Sequence, residues 1–315
     1  MRAVVTGAAG FVGSHLCEQL LADGDDVVGI DCLTDYYSRR QKKTNVAGLL
    51  AHERFTLHQA DLLTAPMAAL LAGADVVYHL AGQPGVRPSW GNEFGEYVRQ
   101  NVLATQRILE ALREQPVWKL VYASSSSVYG NSESYPTAET VRPQPISPYG
   151  VTKLAAEHLC ELYRKEHRVP TVSLRLFTVY GPRQRPDMAF SRLIRSAFDG
   201  ETFSVFGDGE QTRDFTFVGD VVRAFRSAAH SRWTGVANIG GGSRTSMNQV
   251  IKTVSTLARP VTVAYHPVVH GDVRHTAADT SVARDAFDYR PQVRLETGLL
   301  RMIESALPEP TAAAS

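Results

Sequence analysis

A tyrosine and a lysine four residues apart, in the stretch SPYGVTK, are the side chains best suited to chemistry in this 315-residue chain. On a helix, Tyr149 and Lys153 would lie on one face about a turn apart. A phenol with a pKa of about 10 is a poor base at neutral pH, but a nearby ammonium stabilises the phenolate and brings that pKa toward the working range. The spacing alone is weak evidence, because a half-buried tyrosine beside a surface lysine gives the same pattern.

Four consecutive serines, in ASSSSVYG, follow the apolar run 118–122. A surface linker is also serine-rich, but a linker does not usually follow such a run, and we therefore place the serines at the end of a strand. A serine at that strand end would hydrogen-bond the reacting hydroxyl group of a substrate and so complete a catalytic set with Tyr149 and Lys153.

The stretch VVTGAAGFVGSH places Gly7, Gly10 and Gly13 between a predicted strand and an amphipathic helix. Glycines at these positions let the backbone turn tightly and approach a pyrophosphate, whose charge is met by the helix N-terminus. Asp31 ends the next predicted strand, 18 residues after Gly13. That distance is close to the ~20 residues expected of an acid that holds the adenosine ribose hydroxyls. This context predicts a dinucleotide site.

Two further features bear on the cofactor. The carboxylate of Asp31 favours NAD over NADP because it would repel a 2′-phosphate, although four basic residues follow closely and leave the preference open: Arg39, Arg40, Lys42 and Lys43. Asp61, after the third predicted strand, either holds the adenine amino group or caps a helix, and we give the two readings equal weight. The end of the fourth predicted strand offers small residues where the cofactor backbone must pass: Leu80, Ala81 and Gly82.

The composition excludes several classes of function. Lys and Arg number 33 against 32 for Asp and Glu, so the formal net charge of +1 indicates neither a nucleic-acid nor an anionic-membrane partner. No apolar run approaches the ~20 residues of a membrane span. The three cysteines are far apart, which argues against disulfides and a thiolate metal site and is typical of a reducing compartment. We therefore expect a cytoplasmic protein without a metal ion.

Apolar strand-like runs alternate with helical patterns through the first half of the chain. The predicted strands are 3–6, 26–30, 54–59, 75–80, 120–124 and 171–176, and the predicted helices are 14–21, 67–71, 95–113 and 149–165. Strands that are apolar throughout are typical of a parallel sheet covered on both faces. We predict an α/β protein with a Rossmann-like, doubly wound parallel sheet.

After about Gly181 this alternation breaks, because proline and glycine punctuate shorter elements. We predict an NAD-binding Rossmann-like domain over residues 1–180. A smaller C-terminal substrate-binding domain would cover residues 181–315, with parts of 215–240 packing back on the sheet.

Over essentially its whole length the chain resembles the extended short-chain dehydrogenase/reductase family. The stretches that carry the resemblance, in the family's order, are TGAAGFVGSH, HLAG, SSSSVYG, YGVTK and FGDGEQTRDFTFVGD. Within the family, GIDCLTDYYSRRQKK, GQPGVRPSW and FTVYGPRQRPDMAF are similar to stretches of the nucleotide-sugar epimerase branch that acts on UDP-glucuronate. Three positions depart from the pattern: Gly82 stands for alanine, Phe217 for tyrosine and Gly219 for aspartate.

The resemblance implies NAD as the cofactor and Ser125, Tyr149 and Lys153 as the catalytic residues. Together with the dinucleotide pattern, it implies that the cofactor-binding residues are Gly7, Gly10, Phe11, Val12, Gly13, Asp31, Cys32, Leu33, Thr34, Asp61, Leu62, Leu80, Ala81, Gly82, Ser124, Tyr149 and Lys153. The implied substrate-binding residues are Gly85, Val86, Arg87, Ser125, Ser126, Ser127, Tyr149, Thr178, Arg185, Val205, Phe206, Arg213 and Arg274.

The implied substrate contacts have separate tasks. Arg213 and Arg274 would clamp the diphosphate, a task that suits guanidinium groups. Arg185 and the stretch 203–206 would lie near the uridine. Arg87 either binds a carboxylate or braces its own loop, and the sequence does not decide between the two.

The two serines after Ser125 distinguish this chain from neighbouring branches. In the family, dehydratases carry an Asp-Glu pair at these positions and decarboxylases carry a glutamate at the second, whereas this chain has Ser126 and Ser127. Neutral hydroxyls replace that acid poorly, but they can donate hydrogen bonds to a carboxylate. With Thr178 and the backbone of 85–86 they either form a carboxylate cradle or simply pack beside the cofactor, at equal odds.

The implied reaction is the 4-epimerisation of UDP-glucuronate to UDP-galacturonate through a 4-keto intermediate. Tyr149 takes the proton of the 4-hydroxyl with Ser125 bridging, and the C4 hydride passes to NAD and returns after the sugar rotates. Because NAD is regenerated in each turnover, it should remain bound. Three alternatives stay open: a 4-epimerase of UDP-glucose and UDP-galactose, a UDP-glucuronate decarboxylase, which Ser127 disfavours, and a non-catalytic NAD-binding module, which the intact catalytic set disfavours.

The family also implies a homodimer. The predicted helices 95–113 and 149–165 would pair with their symmetry mates in a four-helix interface.

Overall fold

The structure, a computed structural model, describes residues 1–132, 134–268 and 273–307. The strands in these ranges, in chain order, are Arg2–Thr6 (β1), Asp26–Asp31 (β2), Phe55–Gln59 (β3), Val76–His79 (β4), Lys119–Ser125 (β5), Thr171–Leu176 (β6), Val179–Tyr180 (β7), Phe203–Phe206 (β8), Thr212–Asp214 (β9), Thr216–Phe217 (β10), Gly235–Ile239 (β11), Arg244–Ser246 (β12) and Val263–His266 (β13).

The α-helices in the same ranges are Phe11–Ala22 (α1), Arg39–Ala47 (α2), Met67–Leu71 (α3), Phe94–Tyr97 (α4), Ala104–Glu114 (α5), Pro148–His167 (α6), Ala189–Asp199 (α7), Val218–His230 (α8), Met247–Leu257 (α9), Ser281–Phe287 (α10) and Leu295–Ala306 (α11). A π-helix, Val98–Leu103, joins α4 to α5, and short 3₁₀ turns occur at Leu49–Ala51, Arg87–Ser89, Gly91–Glu93 and Ser126–Val128.

Seven of the strands in the described part of the chain form one parallel sheet in the order β3-β2-β1-β4-β5-β6-β11. The strand order reverses between β1 and β4, and ligands of doubly wound folds bind at the carboxyl ends of the strands beside such a reversal. The predicted fold class is confirmed. The six predicted strands are all present, with differences only at their ends.

Apolar side chains cover both faces of the sheet, as the unalternating strands predict. On one face a core cluster joins the sheet to α1, α8 and α10, and on the other a second cluster joins it to α3, α5 and α6. A third cluster lies in the second half of the chain and packs α7, α9 and α11 around β8. This third cluster is the core of the elements in the second half of the chain that lie outside the sheet.

The second half of the chain returns to the sheet through two elements. Strand β11 pairs with β6 along its whole length, and α8 packs against α1 and β5. The division into domains at residue 180 stays a prediction. No helix among residues 1–132, 134–268 and 273–307 is long and apolar enough to cross a membrane.

Helix α6 begins and ends at positions that its sequence indicates. The Ser147 hydroxyl accepts a hydrogen bond from the amide of Gly150 at 3.1 Å, and Pro148 occupies the first turn, where a missing amide costs nothing. Arg168 ends the helix in the left-handed conformation. These limits place Tyr149 in the first turn, next to the carboxyl end of β5.

The predicted helix 95–113 differs from the structure, in which it is divided by the π-helix. Within the wider turn, Asn101 points its side chain at the loop after β4: its Oδ1 accepts from the amide of Gln83 at 2.7 Å, and its Nδ2 donates to the Gln83 carbonyl at 3.1 Å. The same Nδ2 donates to Thr152 Oγ1 at 2.9 Å. Asn101 therefore ties that loop to α6.

Candidate active site

The glycine-rich loop between β1 and α1 leaves its backbone exposed to a ligand. Gly7 has φ +72°, and a Cβ there would meet the amide of Ala81 at 2.8 Å. A Cβ on Gly13 would overlap the carbonyl oxygen of Gly7. Gly10 precedes the helix without a side-chain cap, so the first amides of α1 face the loop. Only glycine allows this close approach of loop, helix and strand.

The carboxylate of Asp31 closes the loop from the end of β2. It accepts hydrogen bonds from the amides of Ala9 at 3.0 Å and Leu33 at 2.8 Å, which fix its orientation at the rim of the cavity. Lys42 reaches the same region and donates to Thr34 Oγ1 at 2.8 Å. A basic side chain predicted only from its sequence proximity thus lies beside the candidate ribose site.

These features fit a dinucleotide. A backbone cradle that any side chain would fill, an uncapped helix N-terminus and a fixed carboxylate at the end of the second strand suit a pyrophosphate and an adenosine ribose. A cavity of about 480 Å³ runs from this cradle to the end of β5. Its lining includes most of the predicted cofactor residues: Gly7, Gly10, Phe11, Val12, Gly13, Asp31, Cys32, Thr34, Leu62, Leu80, Ala81, Gly82, Ser124, Tyr149 and Lys153.

Ser125, Tyr149 and Lys153 lie together at the far end of this cavity. The Ser125 hydroxyl hydrogen-bonds that of Tyr149 and also accepts from the amide of Ser127 at 3.1 Å. Lys153 is 6% exposed and one helical turn from Tyr149. The strand end and the helix predicted separately from the sequence thus meet at one place.

Burial acts on the two titratable groups in opposite directions. It raises the pKa of Tyr149 above its ordinary value, while the hydrogen bond from Ser125 and the positive charge of Arg185 oppose that rise. Burial lowers the pKa of Lys153 to about 8, although Cys160 and Glu157 oppose the change. Both effects favour the neutral side chain, and a phenolate beside an ammonium therefore needs specific stabilisation.

A second cavity, of about 340 Å³, adjoins the first and shares with it Gly85, Val86, Thr178 and Arg185. Its lining includes the predicted uridine-side residues Val205 and Phe206, together with Arg87 and Arg213. The Arg87 guanidinium lies 4.5 Å from the centre of the Phe206 ring. Ser126 and Ser127 line the first cavity, so the hydroxyl run faces the space between the glycine loop and the second cavity.

Arg185 lies where the two cavities adjoin. It lines both cavities, its guanidinium pairs with both oxygens of Asp187 at 2.9 and 3.0 Å, and it lies 5.7 Å from the centre of the Tyr36 ring. Its positive charge acts on Tyr149 and opposes the rise that burial causes in the pKa of that residue.

Three predicted site residues line neither cavity: Leu33, Asp61 and Arg274. Leu33 is buried behind the cofactor side of the cavity with φ +52°. The Asp61 carboxylate accepts from the amide of Leu63 at 2.9 Å, a contact within the local turn. Arg274 is exposed and pairs with Asp208 at 2.8 Å.

Several lining residues were not predicted. Tyr36, Tyr37, Gln83, Pro84, Gln100 and Asn101 all contribute to the first cavity. The pair of tyrosines lies in a stretch that marks the epimerase branch, so the sequence offered a signal for them. Gln100 and Asn101 carried none, because their position depends on the π-helix. Within the described ranges, no group of three His, Cys, Asp or Glu side chains could hold a metal ion.

The comparisons with known proteins agree with this geometry. The model of the NAD dependent epimerase/dehydratase family matches residues 3–240, and the chain belongs to that family. A UDP-glucuronic acid 4-epimerase from Bacillus cereus, whose crystal structure contains UDP-glucuronic acid and NAD, is 43% identical with a TM-score of 0.94. That similarity covers 97% of this chain and 98% of the other.

Two relatives carry names that differ in substrate. An uncharacterized UDP-glucose epimerase, YtcB, of Bacillus subtilis is 44% identical over 96% of this chain and 97% of its own length. A UDP-glucuronate 4-epimerase of Thermodesulfobacterium geofontis is 35% identical over 95% of this chain and 94% of its own length. The family is thus shared by relatives named for a neutral and for an acidic sugar.

Replacing Gly13 by alanine tests the cradle. The new Cβ would overlap the Gly7 carbonyl, so α1 must move away from the loop and its amides no longer meet a pyrophosphate. We expect the dissociation constant for NAD, measured by calorimetry on protein freed of nucleotide, to rise at least ~10-fold, about 1.4 kcal/mol. Gly48→Ala is the matched control, because nothing lies within 4 Å of a Cβ there. Equal affinities for the two variants would contradict the assignment.

Proposed function

We propose that this protein catalyses the NAD-dependent 4-epimerisation of UDP-glucuronate to UDP-galacturonate. The observation that carries the proposal is that Ser125, Tyr149 and Lys153 line the same cavity as the dinucleotide cradle, and that this cavity adjoins a second one of about 340 Å³. The similarity to the Bacillus cereus enzyme supports UDP-glucuronate as the substrate.

Tyr149 is the proposed base. Ser125, held by the amide of Ser127, hydrogen-bonds its hydroxyl and is placed to bridge it to the sugar 4-hydroxyl. The ammonium of Lys153 stabilises the phenolate and, with the glycine loop and Asp31, would hold the cofactor. When bound, NAD would supply the acceptor and donor of the C4 hydride. Tyr149 would return its proton to the new 4-hydroxyl.

Arginines around the second cavity would hold the nucleotide part while the sugar turns. Arg213 lines that cavity, and guanidinium groups suit a diphosphate. Val205 and Phe206 provide apolar surface for a base, and Arg87 lies over the Phe206 ring. Arg274, on the exposed rim, reaches the diphosphate only if it leaves Asp208.

Glucuronate brings a hazard, because its 4-keto form is a β-keto acid that readily loses carbon dioxide. The bond that breaks must align with the carbonyl π-system, and fixing the carboxylate out of that alignment protects the intermediate. Ser126, Ser127 and Thr178 line the cavity near Tyr149 and offer neutral hydroxyl donors. We assign them the task of holding the sugar carboxylate.

A second candidate is the 4-epimerisation of UDP-glucose, which the name of the Bacillus subtilis relative favours. The same base, serine and lysine would serve that reaction. A neutral substrate leaves the hydroxyls of Ser126 and Ser127 without a charged partner, and for this reason we rank it second.

The protein would act in the cytoplasm as a homodimer. Cys17, Cys32 and Cys160 are free thiols, as expected in a reducing compartment. An apolar stripe of Val151, Ala155 and Leu162 runs along α6, and Val151 and Leu162 are 46% and 51% exposed. Leu103, 47% exposed, adds to it from the π-helix beside α5. Such a face suits pairing with a second copy of α5 and α6.

The first experiment gives the purified protein UDP-glucuronate without added NAD and identifies the nucleotide sugars that form. We expect UDP-galacturonate. Tyr149→Phe should abolish turnover while NAD stays bound, whereas Tyr265→Phe, at an exposed position, should retain it. Conversion of UDP-glucose but not of UDP-glucuronate would replace the proposal by the second candidate, and turnover by Tyr149→Phe would refute the assignment of the base.

Replacing Ser126 and Ser127 together by alanine tests the carboxylate cradle. Without these donors the carboxylate turns more freely, so we expect the UDP-pentose formed per UDP-galacturonate to rise at least ~5-fold, which corresponds to about 1 kcal/mol. Chromatography of the products measures the ratio. Ser132→Ala, at a half-buried serine that lines neither cavity, is the control. An unchanged ratio in the double variant would mean that the serines only pack beside the cofactor.

Leu162→Arg tests the interface. A charge in the middle of the stripe should convert a dimer to a monomer in light scattering, because an unpaired buried charge costs several kcal/mol. Leu50→Arg, at a 57% exposed leucine outside α5 and α6, should leave the mass unchanged. A wild-type protein that is monomeric at micromolar concentration would contradict the proposed homodimer.

A further inference from the structure

Lys153 is a buried cation whose nearby carboxylate is already engaged. Glu157, one turn further along α6, accepts hydrogen bonds from the guanidinium of Arg175 at 2.6 and 3.0 Å and from Ser124 Oγ at 2.7 Å. Its charge is therefore balanced largely by Arg175. The ammonium of Lys153 needs another source of stabilisation to keep its proton in this site.

An aromatic ring lies next to that ammonium. Lys153 Nζ is 4.5 Å from the centre of the Tyr122 ring, well within the ~6 Å over which the ring face attracts a cation. Tyr122 is 1% exposed, and the attraction is stronger where water is excluded. Among the described residues its hydroxyl has no hydrogen-bond partner. The ring, rather than the hydroxyl, is thus the part of Tyr122 that acts on Lys153.

The register of the sheet fixes this ring. Thr6, His79 and Tyr122 are successive partners across β1, β4 and β5, so their side chains share one face. The two ring nitrogens of His79 form hydrogen bonds with Thr6 Oγ1 at 2.8 Å and Thr105 Oγ1 at 2.9 Å. Its ring lies 5.5 Å from that of Tyr122, with the planes 35° apart. His79, fixed by hydrogen bonds at both ring nitrogens, therefore packs beside the ring of Tyr122 and helps to fix its position.

We propose that Tyr122 is a positioning residue for the reaction: the face of its ring keeps Lys153 protonated and in place beside Tyr149. The proposal deepens the proposed function and rests on it. It assigns a task to the apolar strand before the serines, which otherwise forms part of the sheet's core.

Other titratable groups also lie near Lys153. Cys160, on α6, has its pKa raised to about 12 by burial, and His79, on β4, has its pKa lowered to about 3 by burial and by Lys153. Burial raises the pKa of Tyr149 and of Tyr122. Glu157, paired with Arg175, completes the set. Burial lowers the pKa of Lys153 itself to about 8.

The sign of the effect follows from the charge. The ring stabilises the ammonium and so raises the pKa of Lys153, and removing the ring lowers it further. Lys153 then loses its proton at lower pH, the phenolate of Tyr149 loses its cation, and the alkaline limb of the kcat profile moves toward neutrality. Substrate binding, which uses the second cavity, should leave KM nearly unchanged.

The test measures the pKa of Lys153 directly, by NMR of protein carrying ¹³C at the ε-carbons of its lysines, as purified with its nucleotide. The chain has six lysines, and Lys153→Met assigns the signal. Tyr122→Phe keeps the ring and should leave the pKa unchanged. Phenylalanines with one, two and five ring fluorines at position 122 keep the shape of the ring but weaken the attraction of its face for a cation. They should therefore lower the pKa of Lys153 in steps. Tyr122→Leu should lower it by roughly one unit.

Tyr78→Leu is the matched control for loss of a buried ring. Tyr78 is also fully buried with an unpartnered hydroxyl among the described residues, but it packs against Phe225 in the other core cluster. It should leave the pKa of Lys153 unchanged. A folded fluorinated series with a constant Lys153 pKa and a constant kcat profile overturns the inference even where the wild type epimerises UDP-glucuronate. A graded pKa in a wild type that epimerises nothing would instead refute the proposed function alone.

Discussion

The buried ion pair between Arg175 and Glu157 organises the end of the sheet on which the active site is built. Ser124, Arg175 and Asn238 are register partners across β5, β6 and β11, and Glu157 reaches this row from α6. Arg175 also donates to Tyr129, which donates to Asn238. Because a buried charge is tolerated only when it is paired and hydrogen-bonded, this network fixes β5 against α6. Ser125 and Tyr149 belong to those two elements.

The same burial that fixes the geometry works against the charges that the chemistry needs. A low-dielectric site favours a neutral phenol and a neutral amine, as the opposite pKa shifts of Tyr149 and Lys153 show. Each group therefore has its own compensation: Ser125 and Arg185 for Tyr149, and the Tyr122 ring for Lys153. In the proposed catalytic set, Tyr149 and Lys153 therefore each depend on neighbouring side chains for their charged form.

The chain separates the fixed part of the site from the part that selects the substrate. The glycine loop, Asp31 and the catalytic residues lie on the sheet and the helices that cover it. The second cavity is lined by β8, by residues of β9 and by the 3₁₀ turn after β4. Relatives named for a neutral and for an acidic sugar match 96% and 95% of this chain. The hydroxyls of Ser126 and Ser127 stand where the two parts meet.

The sequence by itself was sufficient for the parallel sheet, the glycine cradle and the pairing of Tyr149 with Lys153, because strand periodicity, glycine spacing and helical spacing are local properties of the chain. It did not provide the contacts that depend on distance in the fold. Asp61 turns to its own backbone, Arg274 pairs with Asp208 at the rim, and Asn101 reaches Gln83 only through the π-helix. The ring of Tyr122 under Lys153 and the Glu157–Arg175 pair were decided by the tertiary structure alone, since strand register and helix packing bring together residues that no local pattern connects.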